Sequence, residues 1–324
     1  PQTIVPPVDG NFSEKDWPNG WKDIDPFESY RSTFNGELQA SANKEIIFTR
    51  GNNKSEQVRA MVIHQLPRIV TGWNTHGLTQ KQVDAYYMND GADAPGKDKE
   101  IGRGDGSDRI LGYVTQVDVD AGKYKPLKKG VSLQYANREP RFYASVAYNG
   151  SVWHLENESE VVNRQKQVFY YRQDPEGNGY ANTMFWLRTG IGVKKFVHPK
   201  DTRQNNDDNK VEPKAEPAIR YADILLMYAE ALNELKGSYT IPSWDGSRAY
   251  TINRNIDEMK RGIHPVRIRG GVPDYTDGVY NDTDEFRRKV KRERQIELMG
   301  EGQRYYDLRR WKDAPIEESL PIYG

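Results

Sequence analysis

Cysteine is absent from the sequence, which excludes disulfides, thiolate metal sites and a cysteine nucleophile. No apolar run approaches the roughly 20 residues that a membrane-spanning helix needs, so no such helix is predicted. No secretory signal is visible either, because the chain opens with Pro1, Gln2 and Thr3 and lacks a starting methionine. We therefore expect the sequence to be a processed or truncated piece of a longer protein.

An excess of charge of one sign is also missing. The 47 Lys and Arg residues balance the 47 Asp and Glu residues, so the formal net charge is zero. Proteins that bind nucleic acids usually carry a basic excess or a basic stripe, so we expect no nucleic-acid partner. Hydrophobic residues make up only 36% of the chain, but 20 are Tyr and 7 are Trp. This composition predicts an aromatic-rich core and long polar loops.

Catalytic and metal-binding motifs are lacking as well. The sequence contains no Gly-x-Ser-x-Gly, His-Glu-x-x-His or phosphate-binding loop. The Asn- and Asp-rich stretch 200–216 does not meet the spacing of a calcium loop, so we interpret it as a solvated loop. A glycoside hydrolase needs two carboxylates about 5 to 9 Å apart, and no recognisable motif places such a pair. We expect no metal, no cofactor and no catalytic residue.

The clearest predicted helix covers residues 218–236, with Pro217 at its start and Gly237 just past its end. It has two apolar faces. Ala222, Leu225, Ala229 and Leu232 form one, and Tyr221, Ile224, Tyr228, Ala231 and Leu235 form the other. A helix that is apolar on two faces needs neighbours on two sides, and its alanines permit close approach. We infer that some neighbours come from residues outside this sequence or from another chain.

Several shorter elements are predicted from local patterns. Residues 45–49 are typical of a buried strand, and residues 58–66 fit either a strand or a short helix. Thr79 is a suitable cap for a short helix over 80–88. The remaining assignments are strands at 113–119, 152–154 and 167–171, and a helix or strand over 142–148.

A charged C-terminal stretch, residues 283–311, predicts a helix with Thr283 as N-cap and a break at Gly300 and Gly302. Glu293, Glu297 and Glu301 are four residues apart and so share one side of this helix. The candidate partner cations are Arg294, Arg304, Arg309 and Arg310. The carboxylates could run acid/base chemistry or hold a metal, but we favour an ion-pair network that fixes how the helix docks.

The pattern from Glu293 to Trp311 resembles the C-terminal motif of SusD/RagB-type nutrient-binding lipoproteins. It reads Glu-Arg-x-x-Glu-Leu-x-x-Glu-Gly-x-Arg-x-x-Asp-Leu-x-Arg-Trp. Besides the three glutamates it includes Arg304, Asp307 and Trp311, which we assign as structural motif residues together with them.

Five further stretches resemble this family in the same order along the chain. They are 45–48, 79–91, 137–142, 220–231 and 266–271. Two departures occur: Leu78 stands where the family usually has Pro, and Glu139 replaces Asp. The resemblance covers about 270 residues and suggests the C-terminal part of such a protein, without its signal peptide, lipidated cysteine and N-terminal helical repeats.

The resemblance implies an α+β, mainly α, SusD-like fold, in which tetratricopeptide-like helices pack on a loop-rich part with small β-sheets. We expect one SusD-like domain over residues 1–324, with repeat-type helices at 217–237 and 283–312. The implied function is non-catalytic capture of oligosaccharides at the outer-membrane surface. A lipid anchor absent from this chain would hold the protein beside a SusC-type TonB-dependent transporter, its expected partner. The alternatives are a peptide-capturing family member, a glycoside hydrolase and a tetratricopeptide-like protein-interaction scaffold.

A saccharide presents flat apolar C–H faces and a rim of hydroxyls, which aromatic planes and polar side chains can bind. Such aromatic residues belong on exposed loops. The candidate ligand contacts are Trp73 with Asn74 and His76, then Trp153 with His154, then Trp17, and Tyr87 as one of an adjacent tyrosine pair. Trp21, Trp186 and Trp311 are assigned to the core.

Overall fold

The structure is a computed structural model that describes residues 25–95, 109–172, 174–177 and 182–319. Two tryptophans that the sequence analysis named, Trp17 and Trp21, lie outside these ranges. Helices dominate, so the predicted mainly α, α+β class is confirmed. The helices are α1 (Pro26–Phe34), α2 (Glu56–Gln65), α3 (Gln80–Ala85), α4 (Gln116–Asp120), α5 (Pro140–Ser145), α6 (Tyr221–Asn233), α7 (Ile256–Arg269), α8 (Asp277–Asn281), α9 (Thr283–Glu297), α10 (Gln303–Arg310) and α11 (Ala314–Glu317). None of those in the described ranges combines the length and apolar character needed to cross a bilayer.

The strands form small antiparallel pairs. They are β1 (Ile46–Asn53), β2 (Val146–Ala147), β3 (Ser151–His154), β4 (Gln165–Val168), β5 (Gly192–Val193), β6 (Lys214–Arg220), β7 (Tyr239–Pro242) and β8 (Ala249–Ile252). The pairs are β1 with β6, β2 with β5, β3 with β4, and β7 with β8. These pairs match the predicted small sheets.

Within the described ranges, three clusters of buried side chains form the core. The largest is rich in aromatic rings, as the composition predicts, and contains Tyr30, Phe34, Tyr86, Tyr87, Tyr135, Phe142, Tyr143 and Tyr148. A second lies between α2 and the β3–β4 pair, and a third joins α6, α7 and α9. Two of the tryptophans assigned to the core, Trp186 and Trp311, are only half-buried.

Helix α6 begins later than predicted, because residues 214–220 form strand β6 instead of the first turn of the helix. Pro217 therefore pairs with Thr49 of β1 instead of opening the helix. The buried face of α6 packs on α7, and a Cβ added at Gly262 would lie 2.7 Å from the carbonyl oxygen of Leu225. Only glycine permits this close approach. The second apolar face, which includes Tyr221, Ile224 and Tyr228, is exposed in the described structure.

Local hydrogen bonding decided several short elements. Residues 56–65 form a helix, which resolves the open choice for 58–66. Thr79 caps α3 as predicted, by accepting from the Gln82 N–H. The predicted strand over 113–119 is wrong, because Thr115 and Asp118 form a capping box that begins α4. The 45–49 strand is present, but its Phe48 is 63% exposed rather than buried.

Helices α9 and α10 carry the charged motif and are separated at Gly300 and Gly302, which both have positive φ. The predicted break is therefore confirmed. The predicted N-cap is off by one position, since Asp282 accepts from the N–H groups of Asp284 and Glu285. Thr283 is instead the first residue of the helix.

The three glutamates form a buried ion-pair network, but not with the predicted arginines. Glu293 pairs with Arg141 at 2.6 Å and Arg267 at 2.9 Å. The prediction that Glu301 shares this helix is wrong, because α9 ends at Glu297. Glu301 lies in the break after the helix and pairs with Arg220 and Lys195, both at 2.7 Å. The central glutamate is contacted by three cations: Glu297 pairs with Arg141, Arg220 and Arg269.

The arginines that were expected to pair with the three glutamates lie on other sides of α9 and α10, and they form ion pairs with other carboxylates. Arg294 pairs with Asp223 and Asp307, Arg304 with Glu317, Arg309 with Glu318, and Arg310 with Glu230 and Asp307. Residues one position apart on a helix do not face each other, so Arg294 cannot form an ion pair with Glu293. The network therefore joins α5, β6 and α7 to α9, which fits a docking role.

Candidate functional site

The loop that follows α2 carries the first group of predicted ligand contacts. Its backbone is attached to α2, since the N–H of Trp73 donates to the Ile63 carbonyl at 2.8 Å and that of Thr75 to the His64 carbonyl at 2.8 Å. The loop ends where the N–H of Leu78 donates to the Ile191 carbonyl at 2.7 Å. These bonds hold the loop in a defined position next to α2.

Asn74 is buried and anchors this loop rather than facing solvent. Its φ of +52° lies in the left-handed region, which asparagine tolerates better than most residues. Its Nδ2 donates to the carbonyl of Gly177 at 3.0 Å. The expectation that Asn74 binds a ligand hydroxyl is therefore not supported by its placement.

Trp73 and His76 belong to a cluster of rings that also includes His64, which was not predicted from the sequence. His64, from α2, stacks on His76 with centroids 5.0 Å apart, and meets Trp73 edge-on at 4.8 Å. The guanidinium of Arg203 lies 5.3 Å from the centroid of the Trp73 ring. Trp73 is half-buried and packs on the second core cluster. His64 was missed because its spacing within α2 gives no signal of function.

Burial lowers the pKa of His64 below its ordinary value. Burial, and then the charge of His64, lowers the pKa of His76. Both imidazoles are therefore neutral at pH 7. A neutral imidazole can donate through one ring nitrogen and accept through the other. His76 can thus serve a ligand that offers both donors and acceptors, whereas the Nδ1 of His64 is already hydrogen-bonded to the Thr75 hydroxyl.

An open cleft of about 510 Å³ lies beside this cluster, and we call it the His76 cleft. The cleft lies between α2, the 75–78 loop, α3, the segment that begins at β5, and the α9–α10 region. Its lining residues are Met61, Gln65, Thr75, His76, Gly77, Leu78, Gln82, Val193, Phe196, Gln295, Met299, Gly300 and Arg304. The described residues of the lining carry amides, a hydroxyl, an imidazole and a guanidinium, but no carboxylate. Trp73 does not line the cleft, and its ring contacts His64, which stacks on His76 of the lining.

Three glutamines give this cleft its polar character. Gln82 and Gln295 face each other, with the Nε2 of Gln295 donating to the Oε1 of Gln82 at 3.2 Å. Gln65 is only 4% exposed, and its Oε1 has no hydrogen-bond partner among the described residues. An unsatisfied buried polar group costs roughly 1–3 kcal/mol. A ligand donor that reached Gln65 would recover part of this cost.

The other predicted contacts are buried away from the cleft. Tyr87 is 1% exposed, and its ring packs under the guanidinium of Arg292 at 3.7 Å. Trp153 is 2% exposed on β3, and its Nε1 donates to the Tyr170 hydroxyl at 3.1 Å. The prediction that these rings are exposed is wrong, because both complete the core.

His154 follows Trp153 on β3, and its side chain points to the opposite face of the β3–β4 pair. It lines a small hollow with Phe27, Arg31 and Lys194. The structure therefore brings His76 to the cleft, leaves Trp73 beside it, and places Tyr87, Trp153 and His154 elsewhere. Within the described residues, no group of three His, Asp or Glu side chains is arranged to hold a metal ion.

Comparison with known proteins gives a consistent result. The model of the SusD family matches residues 44–324. SusD-like protein P38 of Formosa agariphila is 38% identical over 106 residues, which are 33% of this chain and 18% of that protein. SusD-like protein P2 of the same organism is 36% identical over 98 residues, covering 29% of this chain and 16% of that protein.

Solved structures show the same fold. A SusD-like protein of Bacteroides fragilis matches with a TM-score of 0.57 and 26% identity, over 90% of this chain and 47% of that one. A SusD-like carbohydrate-binding protein of the same species gives a TM-score of 0.59 and 23% identity, over 91% of this chain and 47% of that one. The chain thus spans about half the length of the solved structures that it matches.

Proposed function

This chain belongs to the SusD family, and we propose that it is part of a non-catalytic binding protein that captures oligosaccharides at the cell surface. The observation that carries the proposal is the His76 cleft, with its polar lining and its unsatisfied Gln65. The similarity in fold to a carbohydrate-binding protein of Bacteroides fragilis supports the ligand class.

The chemistry of the lining favours a saccharide over a basic or strongly charged ligand. Amide, hydroxyl and imidazole groups both donate and accept, as a sugar hydroxyl does. Met61, Leu78 and Phe196 add apolar surface for C–H faces. Arg304 is the cation of the lining, and its pairing with Glu317 at 3.2 Å limits its attraction for anions.

In the whole protein, we propose that the captured oligosaccharide passes to a SusC-type TonB-dependent transporter. A lipid anchor in the outer membrane would hold the two proteins together at the extracellular face. Membership of the family supports both parts of this proposal. Trp73 stays a proposed contact, because its ring meets His64, and a long saccharide that extends past His76 and His64 would reach it.

The test is titration of oligosaccharides and peptides, found by array screening, against the Gln65→Met and Trp73→Ala variants of the full-length protein. Methionine has nearly the shape of glutamine, so Gln65→Met should leave the stability equal or slightly higher, since it removes an unsatisfied group. It should nevertheless weaken saccharide binding by about tenfold, the effect of one lost hydrogen bond. Trp73→Ala should cost about 2 kcal/mol of affinity.

The control is His264→Ala in α7, because this half-exposed histidine does not line the cleft. The bound sugar should be recovered intact. Saccharide binding that is unaffected by Gln65→Met and Trp73→Ala would refute the proposed site. If only peptides bound, the protein would be a peptide-capturing member of the family rather than a saccharide binder. Release of shortened sugars would favour a glycoside hydrolase.

A further inference from the structure

The hairpin formed by β7 and β8, between α6 and α7, carries an unusually exposed set of apolar side chains. Its strands contact each other, and no other described helix or strand contacts them extensively. Trp244, at its tip, is 98% exposed. A tryptophan left wholly in water is unfavourable, because burying an aromatic side chain contributes roughly 1.5–3 kcal/mol. The hairpin therefore presents this ring without any stabilising role in the described fold.

The turn that carries Trp244 is held rigidly by its own hydrogen bonds. Asp245 Oδ1 accepts from the hydroxyl of Ser243 at 2.6 Å, and from the N–H and hydroxyl of Ser247 at 3.0 and 2.8 Å. The N–H of Arg248 donates to the Ser243 hydroxyl at 3.0 Å, and Gly246 takes a φ of +70°. Hydrogen bonds to the carboxylate hold the pKa of Asp245 at about 2. The ring is thus presented on a preorganised support.

The register of the hairpin adds an apolar row behind the tip. Ile241 pairs with Tyr250, and Tyr239 pairs with Ile252. Side chains of directly paired residues point to the same face, and so do residues two apart. These four side chains therefore share one face, where Tyr239, Ile241 and Tyr250 are each about half exposed. The other face carries Thr240, Pro242, Ala249 and Thr251.

We propose that this hairpin is a second saccharide-binding site, at which a sugar ring stacks on Trp244 and the next rings of the chain lie along Tyr250 and Tyr239. The proposal rests on the proposed function and adds a site that the His76 cleft does not include. A flat ring with both faces open suits the C–H face of a sugar. Ser243, Ser247 and Arg248 belong to the same turn and carry polar groups that can bind hydroxyls.

The size and charge of the hairpin favour a saccharide over a protein partner. A stable protein interface buries roughly 800 Å² on each side and involves 20–30 residues, more than one hairpin from Tyr239 to Ile252 offers. A sugar chain needs only one or two rings. The tip carries one carboxylate, Asp245, and one guanidinium, Arg248, so its net charge is near zero. This charge suits a neutral polysaccharide.

Two sites on one protein bind a long chain more tightly than either alone, because the second contact becomes intramolecular. The experiment is affinity electrophoresis of the full-length protein in gels that contain soluble β-glucan, amylopectin, xylan or galactomannan. The variants are Trp244→Ala, Trp244→Tyr, Gln65→Met and, as an exposed aromatic control in α10, Tyr306→Ala. Short oligosaccharides are titrated in parallel.

For the polysaccharide that retards the wild type, Trp244→Ala should weaken binding by about tenfold or more. Trp244→Tyr should restore part of the loss, and Tyr306→Ala should behave as wild type. The affinity for short oligosaccharides should change in Gln65→Met but not in Trp244→Ala. Thermal unfolding of Trp244→Ala should match the wild type, because the ring is exposed.

Other results would overturn one or both proposals. Retardation that is equal in Trp244→Ala and wild type would refute the hairpin site and leave the cleft standing. Retardation lost in Trp244→Ala but unchanged in Gln65→Met would support the hairpin and refute the cleft. A clear fall in the unfolding temperature of Trp244→Ala would show that the ring is packed within the longer protein, and so refute the hairpin site. No retardation by any polysaccharide would refute the hairpin site, and no binding of short oligosaccharides would refute the cleft.

Discussion

Arg141 lies wholly buried between three carboxylates, which belong to Glu139, Glu293 and Glu297 at 2.7, 2.6 and 3.1 Å. Burial raises the pKa of Glu297, but Arg269, Arg220 and Arg141 outweigh this effect and hold it at about 2. Such a cluster is favourable only while every charge has its partner. Each member is thus sensitive to the loss of one neighbour.

Replacing Arg141 with methionine should destabilise the protein by about 3–5 kcal/mol, because carboxylates would remain buried without their cation. Urea unfolding followed by circular dichroism measures this loss. Arg261→Met is the control, since Arg261 is exposed and its pair with Glu258 should contribute at most about 1 kcal/mol. A loss no larger than that of the control would show that the network does not hold α5 to α9.

The stacked imidazoles predict a pH effect. The pKa of His76 is below 6.5 in the folded protein, where 6.5 is the ordinary value. The unfolded state then binds more protons at mildly acidic pH, so this residue contributes less stability as pH falls through 6.5. Titration of the imidazole signals by NMR should place the pKa of His76 below 6.5, and His64→Gln should raise it. A pKa of His76 at or above 6.5 in the wild type would contradict the stacked geometry.

At the scale of elements, long-range pairing overrode local propensity at the start of α6. Pro217 followed by an apolar stretch is a sound helix signal, yet the chain stays extended until Arg220 because β1 pairs with residues 214–220. At α4, in contrast, a local signal prevailed. There, the local capping box of Thr115 and Asp118 overrode an alternating pattern, and a search for this motif would have found the helix.

The N-cap of α9 gives a test at this scale. Asp282→Ala should destabilise the protein by about 1 kcal/mol, because two backbone N–H groups lose their acceptor. Thr283→Ala should cost less, since the Thr283 side chain does not cap the helix. Chemical unfolding of both variants gives the comparison. If Thr283→Ala lowered the free energy of unfolding more than Asp282→Ala does, Thr283 would be the N-cap, as the sequence predicted.

At the scale of the whole molecule, apolar side chains remain exposed around the junction of β1, β6 and α6. They are Ile47, Phe48, Ile219, Tyr221, Ile224, Met227 and Tyr228. The sequence predicted this for α6, whose second apolar face leaves Tyr221, Ile224 and Tyr228 exposed in the described structure. Exposed apolar patches of this kind promote association.

The isolated 324-residue chain should therefore self-associate as its concentration rises. The double substitution Phe48→Ser with Ile224→Ser should shift it toward monomer, because it removes two exposed apolar groups of the patch. Size-exclusion chromatography with light scattering measures the mass. Val162→Ser is the control, since this exposed valine lies elsewhere. A wild-type chain that stays monomeric at every concentration would contradict this prediction.

The sequence by itself determined the family, the mainly α class, the two-faced helix, the break at Gly300 and Gly302, and the alignment of Glu293 and Glu297 on α9. These features depend on composition, order of motifs and periodicity within one element, which are local properties of the chain. The same patterns also placed His76 on a loop, although they gave no sign of the cleft beside it.

Only the tertiary structure decided which cations form ion pairs with the glutamates, which aromatic rings are exposed, and which side chains surround the cleft. Arg141 and Glu293 are 152 positions apart, and Trp153 is buried because Tyr170 and α2 cover it. A side chain's partners and exposure depend on what packs against it in space. Residues far apart in the chain supply those neighbours, so no spacing within one stretch can predict them.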